Sequence, residues 1–174
     1  MDISNGEGIR VSCFMQGCSF NCKGCFNPET HDFDGGKDFN EDTVNEILNL
    51  SKKDYIKGLS ILGGEPLNAQ NIDGTILLSK SFKEKFPDKD IWVWTGFEIE
   101  NLNEKQQEIL KYIDVLVDGQ YVESLNNPAL NFRGSSNQRV IDVKETLEKD
   151  KLILVEFEDE ERQIKKQRKN ELEM

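Results

Sequence analysis

Apolar positions along the chain fall into short runs separated by longer amphipathic stretches. "IRVSCFM" (9–15) is β-rich and largely apolar, and it predicts a buried strand. "FNEDTVNEILNLSKK" (39–53) predicts a helix: Asn40 stands where a cap belongs, acids fill the first turn, and Val44, Ile47 and Leu48 share a face. "GLSIL" (58–62) predicts a second strand, ending at Gly63-Gly64-Glu65-Pro66. Residues 70–86 read as a helix anchored by Ile72, Ile76, Phe82 and Phe86, with Pro87 as its stop. "IWVWT" (91–95) predicts strand three. "NEKQQEILKYI" (103–113) predicts a helix in which Asn103 and Gln106 have capping-box spacing. "VLVDG" (115–119) predicts strand four. "RVIDV" (139–143) and "KLILVEF" (151–157) predict two further strands with a short helix between them.

Strands that alternate with helices predict βα units, a parallel sheet and an α/β fold. About five to six such units are too few for a full eight-stranded barrel, so the expectation is an incomplete, partial TIM-type βα barrel. With no internal repeat and no linker, residues 1–157 are expected to form a single domain. The tail, "EDEERQIKKQRKNELEM" (158–174), is almost free of apolar residues. It is expected to be a charged extension, helical or disordered, with a docking element for a partner as the alternative.

Charge narrows the function. The net charge of −11 repels phosphate, which argues against nucleic-acid binding through a basic face. No apolar run reaches membrane-spanning length, and the N-terminus lacks the basic-then-apolar order of a signal peptide. A cytoplasmic protein without membrane contact is expected, and clustered cysteines in such a chain point to metal or redox chemistry before disulfides.

Three of the four cysteines, Cys18, Cys22 and Cys25, lie in "GCSFNCKGCFNPET" (17–30). A structural zinc site wants four protein ligands, and a ferredoxin-type cluster wants four thiolates. The spacing could also mark one face of a buried helix, but Gly17, Asn21 and Gly24 make a helix poor there. Cys13, within the first predicted strand, reads as a small buried hydrophobe. His31 could complete a Cys3His zinc site, although its spacing matches no common pairing. If three thiolates hold a four-iron cluster, one iron keeps an open position for a substrate or cofactor.

The cysteine spacing just after an N-terminal strand resembles the signature of radical S-adenosylmethionine enzymes. In that family the three cysteines bind a [4Fe–4S] cluster, and S-adenosylmethionine chelates the fourth iron. "GGEP" (63–66) resembles the family's second motif, which holds the methionine amino group, so the resemblance implies cofactor contacts for Gly63, Gly64, Glu65 and Pro66. It implies the same for Thr95 and Asp118 at the ends of strands three and four. Many family members carry an aromatic just before the third cysteine; here that position is Gly24, and Phe26 is the candidate to replace it. "NFRGSSNQR" (131–139), with Arg133 as a candidate carboxylate grip, resembles one subfamily, the activases of anaerobic ribonucleoside-triphosphate reductase. "GEGIRVS" (6–12), "NPET" (27–30) and "VDGQY" (117–121) match that subfamily too. The resemblance spans roughly residues 5 to 143, most of the plausible domain.

The resemblance implies a reaction. A reduced cluster gives an electron to the bound sulfonium, and a 5′-deoxyadenosyl radical then takes hydrogen from a glycine α-carbon on the reductase large subunit. An electron donor such as flavodoxin or ferredoxin is implied as a second partner. The alternatives are an activase of another glycyl-radical enzyme of the pyruvate formate-lyase type, a carboxy-deazaguanine synthase, an iron–sulfur electron-transfer protein, and a tethering subunit without chemistry.

Overall fold

The computed structural model describes residues 1–157; the predicted charged tail (158–174) lies outside the described residues. Five strands form one sheet in the order β1-β2-β3-β4-β5, that is Ile9–Met15, Ile56–Gly63, Asp90–Trp94, Val115–Asp118 and Arg139–Asp142. The first four are parallel, and β5 is antiparallel to β4. The expected α/β architecture with a mostly parallel sheet is therefore present. Among the described residues no helix is long and apolar enough to cross a membrane.

The helices are α1 (Glu41–Leu50), α2 (Ile72–Lys85), α3 (Glu104–Gln107) and α4 (Val143–Lys149), and α1 and α3 begin at the caps the sequence predicts. Asn40 Oδ1 accepts from Thr43 N at 3.1 Å. Asn103 and Gln106 form the reciprocal capping box. That helix is shorter than expected: after Gln107 it tightens into a 3₁₀ turn at Glu108–Lys111. Pro87 stops α2 one residue after its cap, Phe86.

Alternation along the strands divides the core. Val11, Leu59, Ile61, Ile91, Val93, Leu116 and Ile141 face one side with Val44, Ile47, Ile76, Phe82 and Ile109 from the helical layer. Trp92, Val115, Val117 and Val140 form a second cluster with Trp94, Phe132, Val155 and Phe157. Burial on both sides explains why the strands read as continuous apolar runs. Phe82 is fully buried, and Phe82→Ala is worth about 3–5 kcal/mol. At the N-terminal end of the sheet the buried Arg10 guanidinium binds Asp90 (2.5 Å), Ser60 Oγ (2.7 Å) and Leu59 O (2.8 Å). It also lies 5.4 Å from the Trp92 ring.

Two expectations change. The stretch 151–157 is not a sixth strand: it meets β5 only through the isolated antiparallel bridge Ile141–Leu154. Its Val155 and Phe157 side chains instead cover the second cluster. And β5 turns back because the 119–138 connection forms no α-helix, which a parallel return would need to cross over the sheet. Its Asn, Gly, Pro and Ser residues favour turns over a helix.

Candidate functional site

The loops after β1, β2, β3 and β4 gather at the C-terminal end of the parallel strands, the end where open α/β sheets place ligands. They enclose a cleft of about 660 Å³. Cys18, Cys22, Cys25, Phe26, Gly63, Gly64, Glu65, Thr95 and Arg133 all line it.

The cysteine loop is fixed first by backbone bonds. Gly17 N donates to Thr30 O (2.8 Å) and Cys18 N to His31 O (3.1 Å). The β2 turn then clamps the start of the loop: Gly64 N donates to Met15 O (2.8 Å) and Glu65 N to Gly17 O (2.9 Å). Asn71 Nδ2 bridges the same pieces, donating to Gln16 O (3.0 Å) and Glu65 O (2.9 Å). This close approach explains the glycine pair. Gly63 has φ +107°, and a Cβ there would lie 2.7 Å from Met15 O; a Cβ on Gly64 would lie 2.5 Å from Gly17 O. The pair is needed for packing of chain on chain, whatever ligand lies beyond it.

All four cysteines are free and partly buried. Burial pushes the Cys18 thiol up, partly offset by backbone donors at Phe20 and Asn21. Cys25 Sγ accepts from Asn27 N at 3.4 Å. Among the described residues no three of His, Cys, Asp and Glu converge into a cage for one ion. Cys13 packs against the helix-side core and is absent from the cleft lining; burial pushes its thiol up to about 11.

Glu65 is 1% exposed, and its carboxylate is surrounded by donors. Oε1 accepts from Thr95 Oγ1 (2.7 Å) and Leu67 N (2.8 Å), and Oε2 from Gly96 N (2.7 Å). Burial pushes its pKa up to about 7 against the pull of these three bonds. The Thr95 hydroxyl also accepts from Phe97 N (3.1 Å), so Glu65 and Thr95 together set the turn after β3.

The structure separates Asp118 and Pro66 from the other candidates. Asp118 is fully buried and outside the cleft lining. Its carboxylate accepts from Arg139 (2.9 and 2.5 Å) and from Ile99 N (2.9 Å). Pro66 is also buried outside the lining, and its carbonyl accepts from Thr75 Oγ1 at 2.8 Å. Arg139 joins Asp118 to Glu100 and ties β5 to the turn after β3.

Gly24 has a local reason. It has φ +73°, and a Cβ there would lie 2.9 Å from Glu123 Oε1. The Glu123 carboxylate can swing aside, so the left-handed backbone is what disfavours an aromatic here. Phe26 lines the cleft instead, 65% exposed, with its ring 5.1 Å from Tyr121. Sequence reasoning did not single out Phe20, Trp94 or Tyr121, which also line the cleft. Phe20 lies between two cysteines and packs edge-on to Phe97 at 4.9 Å, and Trp94 ends β3. Their positions next to motif residues were the available signal. His31 reaches the cleft as well.

A family model described as a 4Fe-4S single cluster domain matches residues 4–141. The chain is 44% identical over 139 residues to the anaerobic ribonucleoside-triphosphate reductase-activating protein of Enterobacteria phage T4, covering 80% of this chain and 87% of that one. It is 41% identical to the protein of the same name in Haemophilus influenzae, over 79% of this chain and 90% of the relative. The Escherichia coli K12 protein of that name is also 41% identical, over 80% of this chain and 92% of the relative. The chain belongs to the family of anaerobic ribonucleoside-triphosphate reductase-activating proteins and carries that family's 4Fe-4S single cluster domain.

Proposed function

We propose that this protein is a radical S-adenosylmethionine activase that generates the glycyl radical of an anaerobic ribonucleoside-triphosphate reductase. The observation that carries this reading is the joining of three free cysteines to the Gly63–Glu65 turn in one cleft at the C-terminal strand ends. The donor set fits a four-iron cluster. Each thiolate of a cluster binds its own iron, so the three sulfurs need not converge on a point as a single ion requires. Cys18, Cys22 and Cys25 are the proposed ligands. With cluster and S-adenosylmethionine bound, the pair supplies a one-electron reductive cleavage that yields a 5′-deoxyadenosyl radical.

The chain's own residues provide placement. A carboxylate has about four lone-pair sites, and Glu65 has three donors on them. The remaining one can accept from the cofactor's ammonium group. Gly63 and Gly64 hold the turn against the cysteine loop, and Thr95 fixes the Glu65 carboxylate. Phe26 offers an exposed ring to the adenine, and Arg133 at the rim can grip a carboxylate. Asp118 acts from behind, through Arg139, by holding the far wall. The apolar lining of Phe14, Leu62, Trp94 and Phe132 keeps water from the reacting centre.

We read the sheet as an incomplete βα barrel within one domain (1–157), whose open side admits a macromolecular substrate. A cytoplasmic setting and an electron donor of the flavodoxin or ferredoxin type complete the proposal. The test is anaerobic reconstitution with iron and sulfide, reduction, and addition of S-adenosylmethionine and the reductase. The expected products are 5′-deoxyadenosine and a glycyl radical on the reductase, seen by paramagnetic resonance. A full cluster without 5′-deoxyadenosine would sink the radical reading. A radical on a formate-lyase but not on the reductase would move the target.

A further inference from the structure

The outer edge of β1 carries hydrogen-bonding capacity that the cleft does not use. Arg10 N donates to Asp2 O (2.8 Å), and Asp2 N donates to Arg10 O (2.9 Å), both on the side away from β2. Peptide groups alternate along a strand, so the N–H and C=O groups of Ser12 and Phe14 point to that same outer side. Among the described residues the Asp2–Arg10 bridge is the only pairing there. The arm is pinned beside it by Ser12 Oγ, which donates to Asp2 Oδ2 at 2.8 Å.

Natural proteins blunt such an edge with charge, proline or a bulge. The strand itself has no charged residue, proline or bulge at Ser12–Phe14; the Asp2 carboxylate lies on Ser12 Oγ, and large apolar side chains flank the rest. Phe14 is 50% exposed, and Ile3, Ile9 and Tyr55 line a groove beside it. Phe14 lines both this groove and the cysteine cleft, so the two adjoin at its ring.

Resting on the proposed function above, we propose that the Ser12–Phe14 edge is a strand-addition site for an extended segment of the reductase. The segment pairs with β1 through its backbone and seats apolar side chains in the Phe14 groove. Because β1 runs toward the cysteine loop, a segment so paired continues into the cleft. Backbone pairing also suits this substrate, because the group to be reached is a glycine α-carbon, itself backbone. A second copy of this chain is the alternative occupant. The two occupants differ in what their pairing depends on: a second copy pairs with rising concentration of this chain alone, and the reductase segment does not.

Amide hydrogen exchange resolved to single residues tests this on the unmodified holoprotein with and without the reductase. The Ser12 and Phe14 amides are expected to slow by about tenfold or more in the complex. A glycyl radical formed with no change at either amide overturns the inference and leaves the function standing. Protection that rises with activase concentration alone, without reductase, assigns the edge to a second copy and also overturns it. Absence of both complex and radical removes the reductase as target, and the inference with it. A second arm compares Ser12→Pro, which deletes one outward N–H at an edge that tolerates proline, with Ser12→Ala, which keeps it. Ser12→Pro is expected to weaken reductase binding by about tenfold relative to Ser12→Ala. Equal binding by two folded variants overturns the proposal; if Ser12→Pro does not fold, exchange in the unmodified protein decides.

Discussion

The two walls of the cleft are held in different ways. On one wall the cysteine loop and the β2 turn are joined by backbone hydrogen bonds, with glycines at the points of closest approach. On the other, the 119–138 segment reaches the same loop through side chains: Phe26 on Tyr121, and Lys23 on Glu123 at 2.8 Å. A backbone clamp fixes geometry and tolerates no added atom, whereas a side-chain strap tolerates substitution and can move. The first wall is therefore fixed in geometry, and the second has freedom to adjust.

The clamp gives the largest expected effect. Gly64→Ala forces a Cβ to within 2.5 Å of Gly17 O, and the opposing atom is backbone that cannot swing aside. Denaturant melts of the apo protein are expected to show a loss of about 2–4 kcal/mol, and iron content after reconstitution should fall with it. Wild-type stability and full iron retention in this variant would show that the clamp is dispensable.

Glu65 comes next, and pH exposes it. Its folded pKa is raised from 4.5 to about 7, so the native state holds a proton that the unfolded state has released over that window. This group therefore favours the fold fully below pH 4.5, and the contribution is lost as pH rises through 7. The displacement from 4.5 to about 7 corresponds to about 3 kcal/mol. Glu65→Gln should flatten that part of the apo protein's stability–pH curve. It should also cost about 1–3 kcal/mol at pH 5 by turning an NH₂ donor toward Leu67 N or Gly96 N. An unchanged slope would place the titration elsewhere.

The contrast between the walls also explains what the sequence discloses. The clamp was legible because its parts are local: cysteine spacing, a glycine pair and a carboxylate, each directly after an apolar run. Caps at Asn40 and Asn103 were legible for the same reason. The strap was not, because it depends on which way a long connection without a helix returns. The reversal of β5 sets Asp118 opposite Arg139, and so turns a residue expected at the mouth into a buried anchor. Gly24 departs from the family motif because the loop takes a positive φ there, beside the Glu123 side chain of a distant segment. Long-range pairings of this kind leave no periodic trace.

The strap supplies the smaller predictions. Tyr121→Ala removes an aromatic contact worth about 0.5–1.5 kcal/mol, and it should leave iron content unchanged because no clamp bond involves Tyr121. Coupled iron loss would show that the walls are one unit. The smallest effect is expected at Lys23, whose side chain is 88% exposed while it bonds Glu123. Solvent screens such a pair, and holding two long side chains in register costs entropy. Lys23→Ala should therefore leave the melting midpoint unchanged within error at moderate salt, with the wild type itself insensitive to added salt. A clear fall in the midpoint, matched by salt in the wild type, would mean that this ion pair holds the strap closed. The second wall would then be fixed by charge as firmly as the first is fixed by backbone.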